Sequence, residues 1–186
     1  MSEPRTPPLA PLLARLEVLG RAGLPHALGA SGLLASLGLV GEVNDWDVTV
    51  DADVDTLAAA CSGLTFTRYG HSGCHADHKL TFEDDRIELI ASFAFFVPGG
   101  VVRIPTIVTR RWRGVPVGSP SGWAVAYALM GELEDSPRRR ERAELLFGWM
   151  EREGADPEGV RALLAEPLLP AIRVRLAALP LAPASA

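Results

Sequence analysis

Two aspartates, Asp45 and Asp47, stand one residue apart in the segment "NDWDVTVD". Aromatic and β-branched residues alternate there with polar ones, which predicts a strand over residues 45–51. Successive side chains of a strand point to opposite faces, so both carboxylates are expected on one face, about 7 Å apart. Carboxylates in that arrangement suit a hard divalent cation. The alternative is that both acids belong to the solvated face of an edge strand.

A third acid, Glu88, stands in the later segment "RIELIASF". The same alternation predicts that Ile87 and Leu89 enter the core while Arg86 and Glu88 face outward. Upstream, a Gly-x-Ser turn at residues 29–31 precedes the apolar run "GLLASLGL" and predicts the start of a short helix. Three acids on neighbouring strands would make a metal site, and a helix start beside them would favour an anion.

The ordered set Gly29-Ala30-Ser31, Asp45-Trp46-Asp47 and Glu88 resembles the pattern of the polymerase-β-like nucleotidyltransferase superfamily. That pattern is a Gly-Gly/Ser turn opening a helix, Asp-x-Asp on a strand, and a third acid on a later strand. Residues 23–93 look more narrowly like the head of the tRNA-CCA-adding and poly(A) polymerase group. The base-reading segments of that group have no match, because the region after Glu88 reads "TRRWRGVPVG". The departures favour a small stand-alone member or a catalytically weakened one.

The resemblance implies Mg²⁺-dependent transfer of a nucleoside monophosphate from a nucleoside triphosphate to a hydroxyl acceptor. Asp45, Asp47 and Glu88 would be both catalytic residues and ligands of two Mg²⁺ ions, with Mn²⁺ as a possible substitute. Gly29 and Ser31 would bind the phosphates. The acceptor is left open between a small molecule, a protein and RNA, and the choice of nucleotide and the oligomeric state are also left open.

Two other function classes stay open at this stage. The first is a non-catalytic binding or regulatory module of the same fold, for example a partner in a toxin-antitoxin pair. The second is an interaction protein of unrelated α/β fold, in which the three acids coincide by chance. Convergence of Asp45, Asp47 and Glu88 in space would exclude the second.

The segment "HSGCHADH" has the residue types and spacing of a zinc site. His71, Cys74, His75 and His78 could bind a metal, or they could form a polar loop near the mouth of the active site. The segment "DADVD" lacks the glycine and glutamate of an EF-hand loop, and helix capping explains it better.

Two arginine clusters are also present. "TRRWRG" could stack a base on Trp112 and hold phosphate, or it could be merely solvated. "PRRRER" is interleaved with acids, so a solvated helix face is the favoured interpretation.

The remaining pattern predicts an α+β fold, with a nucleotidyltransferase-like mixed sheet flanked by helices and a C-terminal helical layer. A helix is expected from Leu9 to a stop at Gly20, and short strands are expected between Leu64 and Val117. Three helices follow Ser119, Ser136 and Asp156, each with proline at its first position. The expected domains are residues 1–118, a helical segment 119–180 packed on them, and a tail 181–186.

Composition limits the remaining choices. The net charge of −5 argues against a general nucleic-acid coat protein. Cys61 and Cys74 are too few for a disulfide framework, and the sequence has neither a signal-peptide pattern nor an apolar run long enough to span a bilayer. A cytoplasmic protein without a membrane partner is therefore expected.

Overall fold

The computed structural model describes residues 3–183. Within that range the chain forms seven α-helices: α1 (Leu9–Arg21), α2 (Ala30–Ser36), α3 (Val54–Ala60), α4 (Pro120–Leu133), α5 (Pro137–Glu153), α6 (Pro157–Leu164) and α7 (Pro170–Ala177). The same range forms nine strands: β1 (His26–Leu28), β2 (Trp46–Val50), β3 (Thr67–Tyr69), β4 (His78–Phe82), β5 (Ile87–Ala91), β6 (Ala94–Val97), β7 (Gly100–Arg103), β8 (Val108–Trp112) and β9 (Val115–Gly118). The predicted α+β class is confirmed.

Seven of the strands found in residues 3–183 make one mixed sheet, in the order β3-β4-β5-β2-β1-β9-β8. The pairs β2/β5 and β1/β9 are parallel, and the other neighbours are antiparallel. β6 and β7 form a separate hairpin. The segment "EDD" between β4 and β5 is a single 3-10 turn, Glu83–Asp85.

The chain divides into two compact units, and both are discontinuous in sequence. The first contains the chain up to Gly70, Asp77–Phe93 and Val108–Gly118, and therefore holds the large sheet with α1 to α3. The second contains His71–Ala76, Ala94–Ile107 and the chain from Ser119 onward, and therefore holds the β6/β7 hairpin with α4 to α7. Two segments inside the expected 1–118 domain thus belong with the C-terminal helices.

In the first unit one face of the sheet is covered by α1 and α2. The fully buried residues of that sheet face include Leu28, Val48, Ile87, Leu89 and Val117. The indole nitrogen of Trp46 donates a hydrogen bond to the carbonyl of Pro8, just before α1, at 3.3 Å. Helix α1 runs one residue past the predicted stop, because Gly23, with φ +68°, provides the left-handed turn that Gly20 was expected to provide.

In the second unit α4 is the central helix, and it packs against α5, α6, α7 and β6. Ser119 and Asp156 accept hydrogen bonds from the amides of Gly122 and Gly159, so the predicted caps of α4 and α6 are confirmed. Leu181 and Ala182, the predicted start of the tail, pair with Ala155. The rest of that tail, residues 184–186, lies outside the described residues.

The helix face carrying "PRRRER" is only partly solvated: Arg138 and Glu141 are exposed, whereas Arg139, Arg140 and Arg142 are half-buried. Arg140 donates hydrogen bonds to the carbonyl of Gly131 and to Asp135 at the end of α4. Arg139 and Arg142 lie over the ring of Tyr127, at 5.7 and 5.5 Å. The cluster therefore binds α5 to α4, which charge alternation along a single helix does not reveal. Across residues 3–183 no helix combines the length and apolar character that crossing a bilayer needs.

Candidate active site

Asp47 and Glu88 face each other at the centre of the large sheet. They are direct partners in the parallel register of β2 and β5, so their side chains lie on one face of strands about 4.8 Å apart. Both are half-buried, whereas Trp46, Val48 and Ile87 on the opposite face are fully buried. Strand β2 has β5 on one side and β1 on the other. The interpretation of the aspartates as a solvated edge strand is therefore wrong.

Asp45 lies one residue before β2 and is exposed. The carboxylates of Asp45, Asp47 and Glu88 do not form a tight trio. In the part of the chain that the structure describes, the one group of three metal-ligating side chains with ligand atoms within 4.8 Å of one another is elsewhere. The structure thus brings Asp47 and Glu88 together by register and leaves Asp45 at the exposed entrance of the same strand.

A cation that the sequence interpretation missed lies beside the acids. The ammonium of Lys79, on β4, donates a hydrogen bond to Oε2 of Glu88 at 2.8 Å, and both side chains are about 29% exposed. Burial by itself disfavours the ammonium, but the hydrogen bond and charge of Glu88, with the charges of Asp47 and Asp77, raise the pKa of Lys79 above its ordinary value. The ammonium of Lys79 therefore interacts with the carboxylates of Glu88, Asp47 and Asp77.

The turn before α2 is tied directly to this pair of strands. The amide of Gly29 donates to the carbonyl of Asp47 at 2.8 Å, so this amide serves the sheet. Gly29 has an ordinary extended backbone, and the left-handed position is Ala30, with φ +42°. The first amides of α2, which follow, have no partners within a helix. They are the amides of Ala30, Ser31 and Gly32, directly after Gly29.

Ser31 is buried, and its hydroxyl has no hydrogen-bond partner among residues 3–183. A buried hydroxyl without a partner costs about 1–3 kcal/mol, so it calls for a polar ligand or water. Gly32 fixes the position of the turn, since a Cβ there would lie 2.7 Å from Cδ1 of Leu28 on β1. Glycine at this position lets α2 lie close against the sheet, with Ser31 at its start.

The "TRRWRG" cluster lies on β8, the outermost strand of the sheet. The ring of Trp112 lies 6.4 Å from that of Trp46, on the face opposite to Asp47, and the guanidinium of Arg113 lies over Trp112 at 4.6 Å. The tryptophan is therefore occupied by contacts within the protein. This geometry does not support base stacking by Trp112 at the acids.

The four residues of the possible zinc site are not brought together. His78 lies on β4, and the ring of His71 packs edge-on against Phe96. Cys74 and His75 instead lie beside Glu134, at the end of α4. No short-range pattern links Glu134 to them, because it is 60 residues away from Cys74.

Solved structures support the fold. The antibiotic-resistance factor ANT(2'')-Ia in solution has a TM-score of 0.57 and 19% identity, over 91% of this chain and 93% of that chain. ANT(2'')-Ia in complex with adenylyl-2''-tobramycin gives 0.55 and 15%, over 91% and 95%. A tRNA nucleotidyltransferase complexed with a primer tRNA and an incoming ATP analog is more distant, at 0.33 and 12%, over 88% and 58%.

The chain therefore has the nucleotidyltransferase fold, as the resemblance of residues 23–93 implies. No protein-family model matches the sequence, and the curated proteins give no significant match. At identities below 25% the likeness concerns the fold, and function has to be argued from the site.

Proposed function

We propose that this protein transfers a nucleoside monophosphate from a nucleoside triphosphate to a hydroxyl group, with Asp47 and Glu88 at the reacting centre. The observation that carries the proposal is their pairing in register on adjacent central strands, one of which accepts a hydrogen bond at Asp47 from Gly29, directly before α2. Ser31 and the first amides of α2 would bind the triphosphate, since a helix start favours an anion.

The donor set fits a hard divalent cation. Asp45, Asp47 and Glu88 offer carboxylate oxygens, which Mg²⁺ prefers, and Mn²⁺ takes the same ligands. Two Mg²⁺ ions at these residues would neutralise the triphosphate and acidify the acceptor hydroxyl. Asp45 and Asp47 would act chiefly in binding the nucleotide, and Glu88 in activating the acceptor hydroxyl. Attack of the acceptor oxygen on the α-phosphorus forms the new P–O bond, and pyrophosphate leaves.

Lys79 would contribute both to the charge balance of the site and to nucleotide binding. Its ammonium offsets part of the mutual repulsion of Glu88, Asp47 and Asp77, whose hydrogen bond and charges raise the pKa of Lys79 despite its burial. On nucleotide binding the same ammonium is available to a phosphate oxygen. No short motif announces this role, which depends on the pairing of β4 with β5.

For the acceptor, a small cationic polyol is favoured over RNA. The formal net charge is −5, which repels a polyanion and attracts a polycation. The solved structure of ANT(2'')-Ia with adenylyl-2''-tobramycin shows one adenylylated aminoglycoside on this fold. An aminoglycoside such as tobramycin is therefore the first acceptor to test.

The test measures pyrophosphate release and label transfer from each of the four nucleoside triphosphates with Mg²⁺. The reactions contain tobramycin, total RNA, or a cell extract as acceptor source. Transfer should require an acceptor, stop in chelator, and be lost in Asp47→Asn. Transfer that persists in Asp47→Asn at the rate of the unchanged protein would remove this site from the reaction. The absence of transfer from every nucleotide to every acceptor would overturn the proposed activity.

A second candidate is a non-catalytic module of the same fold, such as a toxin-antitoxin partner. Two observations favour it: Glu88 is already paired with Lys79, and the three carboxylates are not gathered into a group that could hold one metal ion. This candidate predicts tight nucleotide or partner binding with no pyrophosphate release under any condition. The two candidates therefore differ in turnover and not in binding.

A further inference from the structure

Cys74, His75 and Glu134 form a cluster in the second unit that has no part in the proposed transfer. Sγ of Cys74 lies 3.3 Å from Oε1 of Glu134, and Nε2 of His75 lies 3.7 Å from the same oxygen. All three ligand atoms lie within 4.8 Å of one another. With Zn²⁺ bond lengths near 2.0–2.3 Å, the edges of a tetrahedral site are about 3.3–3.8 Å. Two of the three separations already match those edges.

Backbone contacts hold the first two ligands in place. A tight turn at Ser72–His75, closed by the amide of His75 on the carbonyl of Ser72 at 2.9 Å, presents both side chains. The carbonyl of Cys74 accepts from the amide of Phe96 at 2.8 Å, and the ring of His75 packs against Phe95, with centroids 5.0 Å apart. The pair is thus anchored to β6 before any ion binds, which lowers the entropy cost of binding.

The third ligand lies where a positive charge is favoured. Glu134 caps the C-terminal end of α4, where the helix dipole is negative and a carboxylate is unfavourable. Glu132 and Asp135 add further negative charge there, and Arg140 pairs with Asp135. A cation held between the turn and this helix end would offset both the dipole and the charge of Glu134.

We propose that Cys74, His75 and Glu134 bind one Zn²⁺ ion, with water as the fourth ligand, and that the ion fixes the turn at residues 72–75 to the end of α4. Sulfur, imidazole and carboxylate together suit zinc better than magnesium or calcium, which prefer oxygen alone. The Cys74 thiol loses its proton on binding, so affinity falls as the pH falls. The other cysteine, Cys61, is not a ligand of this ion, because it lies at the end of α3 in the first unit. Burial also raises the pKa of its thiol, which disfavours the thiolate that zinc needs.

The test uses Co²⁺ as a spectroscopic probe for the zinc site. The full chain, stripped with chelator, is titrated with Co²⁺ in excess Mg²⁺, which occupies oxygen-only sites such as the proposed active site. One equivalent should produce a thiolate-to-cobalt charge-transfer band with tetrahedral visible bands, and Zn²⁺ should displace it. Absence of the thiolate band would overturn the proposal and leave the proposed transfer untouched.

Variants assign the ligands. Cys74→Ser should abolish the thiolate band, and Glu134→Gln should weaken Co²⁺ binding by about tenfold or more. His71→Asn, a neighbouring histidine outside the cluster, is the matched control and should bind as the unchanged protein does. A band that survives in Cys74→Ser, or full affinity in Glu134→Gln, would contradict the ligand set. If Cys74→Ser fails to fold, the exposed Glu134 still decides the question through its own variant.

Discussion

Lys79 is the only lysine in the sequence, and its ammonium is bonded to Glu88, one of the two acids that face each other across the central strands. The other seventeen basic residues are arginines. The single lysine is visible in the sequence, but only the register of β4 on β5 shows which residues it contacts. At the residue scale the site is therefore a charge balance among one ammonium and several carboxylates.

Replacing Lys79 with Met removes the cation and keeps the aliphatic stem. Asp47, Glu88 and Asp77 are then left to repel one another, so the free energy of unfolding without divalent metal should fall by about 1–2 kcal/mol. The rise in melting temperature on adding Mg²⁺ should be larger than in the unchanged protein, because the ion now supplies the missing charge. Thermal unfolding with and without Mg²⁺ measures both effects.

Arg68→Met is the control for that substitution, because Arg68 makes an exposed ion pair with Asp55 in the same unit. It should change stability by less than about 1 kcal/mol and leave the response to Mg²⁺ unaltered. An unchanged or smaller Mg²⁺ response in Lys79→Met would mean that the ammonium does not face the acids proposed to bind metal.

At the scale of elements, the start of α2 joins the phosphate-binding prediction to a strained backbone. Ala30 adopts φ +42°, a region that favours glycine, and strain of this kind is common at functional sites. Gly32, by contrast, has its place because of packing against Leu28. The sequence shows two glycines and a serine, and cannot show that the left-handed position falls on the alanine between them.

Ala30→Gly should relieve that strain. Ala35, in the same helix and equally buried at 5% exposure, provides the matched control, since Ala35→Gly loses the same methyl group from a helical position. The free energy of unfolding should be about 1–2 kcal/mol higher in Ala30→Gly than in Ala35→Gly, the cost of a left-handed alanine. Urea unfolding measures the difference. Equal losses in the two variants would show that Ala30 is not strained.

The starts of α4 and α6 share one carboxylate. Oδ2 of Asp156 accepts from the hydroxyls of Ser119 and Ser121, at 2.8 and 2.7 Å, while Oδ1 accepts from the amide of Gly159. Both serines are almost fully buried. The capping pattern predicts the contact within α6, but the link to α4 depends on how the helices pack.

Asp156→Ala should therefore cost about 2–4 kcal/mol, since it removes a helix cap and leaves two buried hydroxyls without their acceptor. Asp156→Asn keeps an acceptor oxygen and should cost clearly less. Urea unfolding of the two variants is the measurement. Equal destabilisation would show that the charge, and not the hydrogen-bond geometry, carries the effect.

Elements that depend on local signals were predicted well, and those that depend on distant partners were not. The helices starting after Ser119, Ser136 and Asp156 were predicted from proline and capping residues. Between Leu64 and Val117 the sequence predicts short strands without clear bounds for β8, an exposed edge strand rich in arginine, or for β6, whose apolar run continues that of β5. Glu134 was missed because only the fold brings it to Cys74.

At the scale of the whole molecule, the chain has the nucleotidyltransferase fold and divides into two compact units. Each unit is built from segments that are separate in the sequence. The candidate active site belongs to the first unit, and the proposed zinc site to the second. A contiguous boundary near residue 118 is the simplest expectation from sequence. Two segments depart from this boundary. Ala94–Ile107 contains the β6/β7 hairpin, and His71–Ala76 pairs with β6 through His75, so both belong to the second unit.

Glu88→Gln decides whether Glu88 takes part in catalysis, as proposed, or only in the packing of the sheet. The variant keeps the size of the side chain and removes its charge. Glu83→Gln, an exposed acid on the adjoining turn, is the control for a general loss of charge. The measurement is the rate of pyrophosphate release with Mg²⁺, taken together with nucleotide affinity by calorimetry on the same folded preparations.

The rate should fall by a factor on the order of a hundred or more in Glu88→Gln, comparable to the loss of one catalytic electrostatic contact. Nucleotide affinity should change by under about 1 kcal/mol, because in the proposed mechanism Ser31, Asp45 and Asp47 bind the phosphates. Glu83→Gln should match the unchanged protein in both. A folded Glu88→Gln protein that releases pyrophosphate at the unchanged rate would show that Glu88 has no part in the reaction.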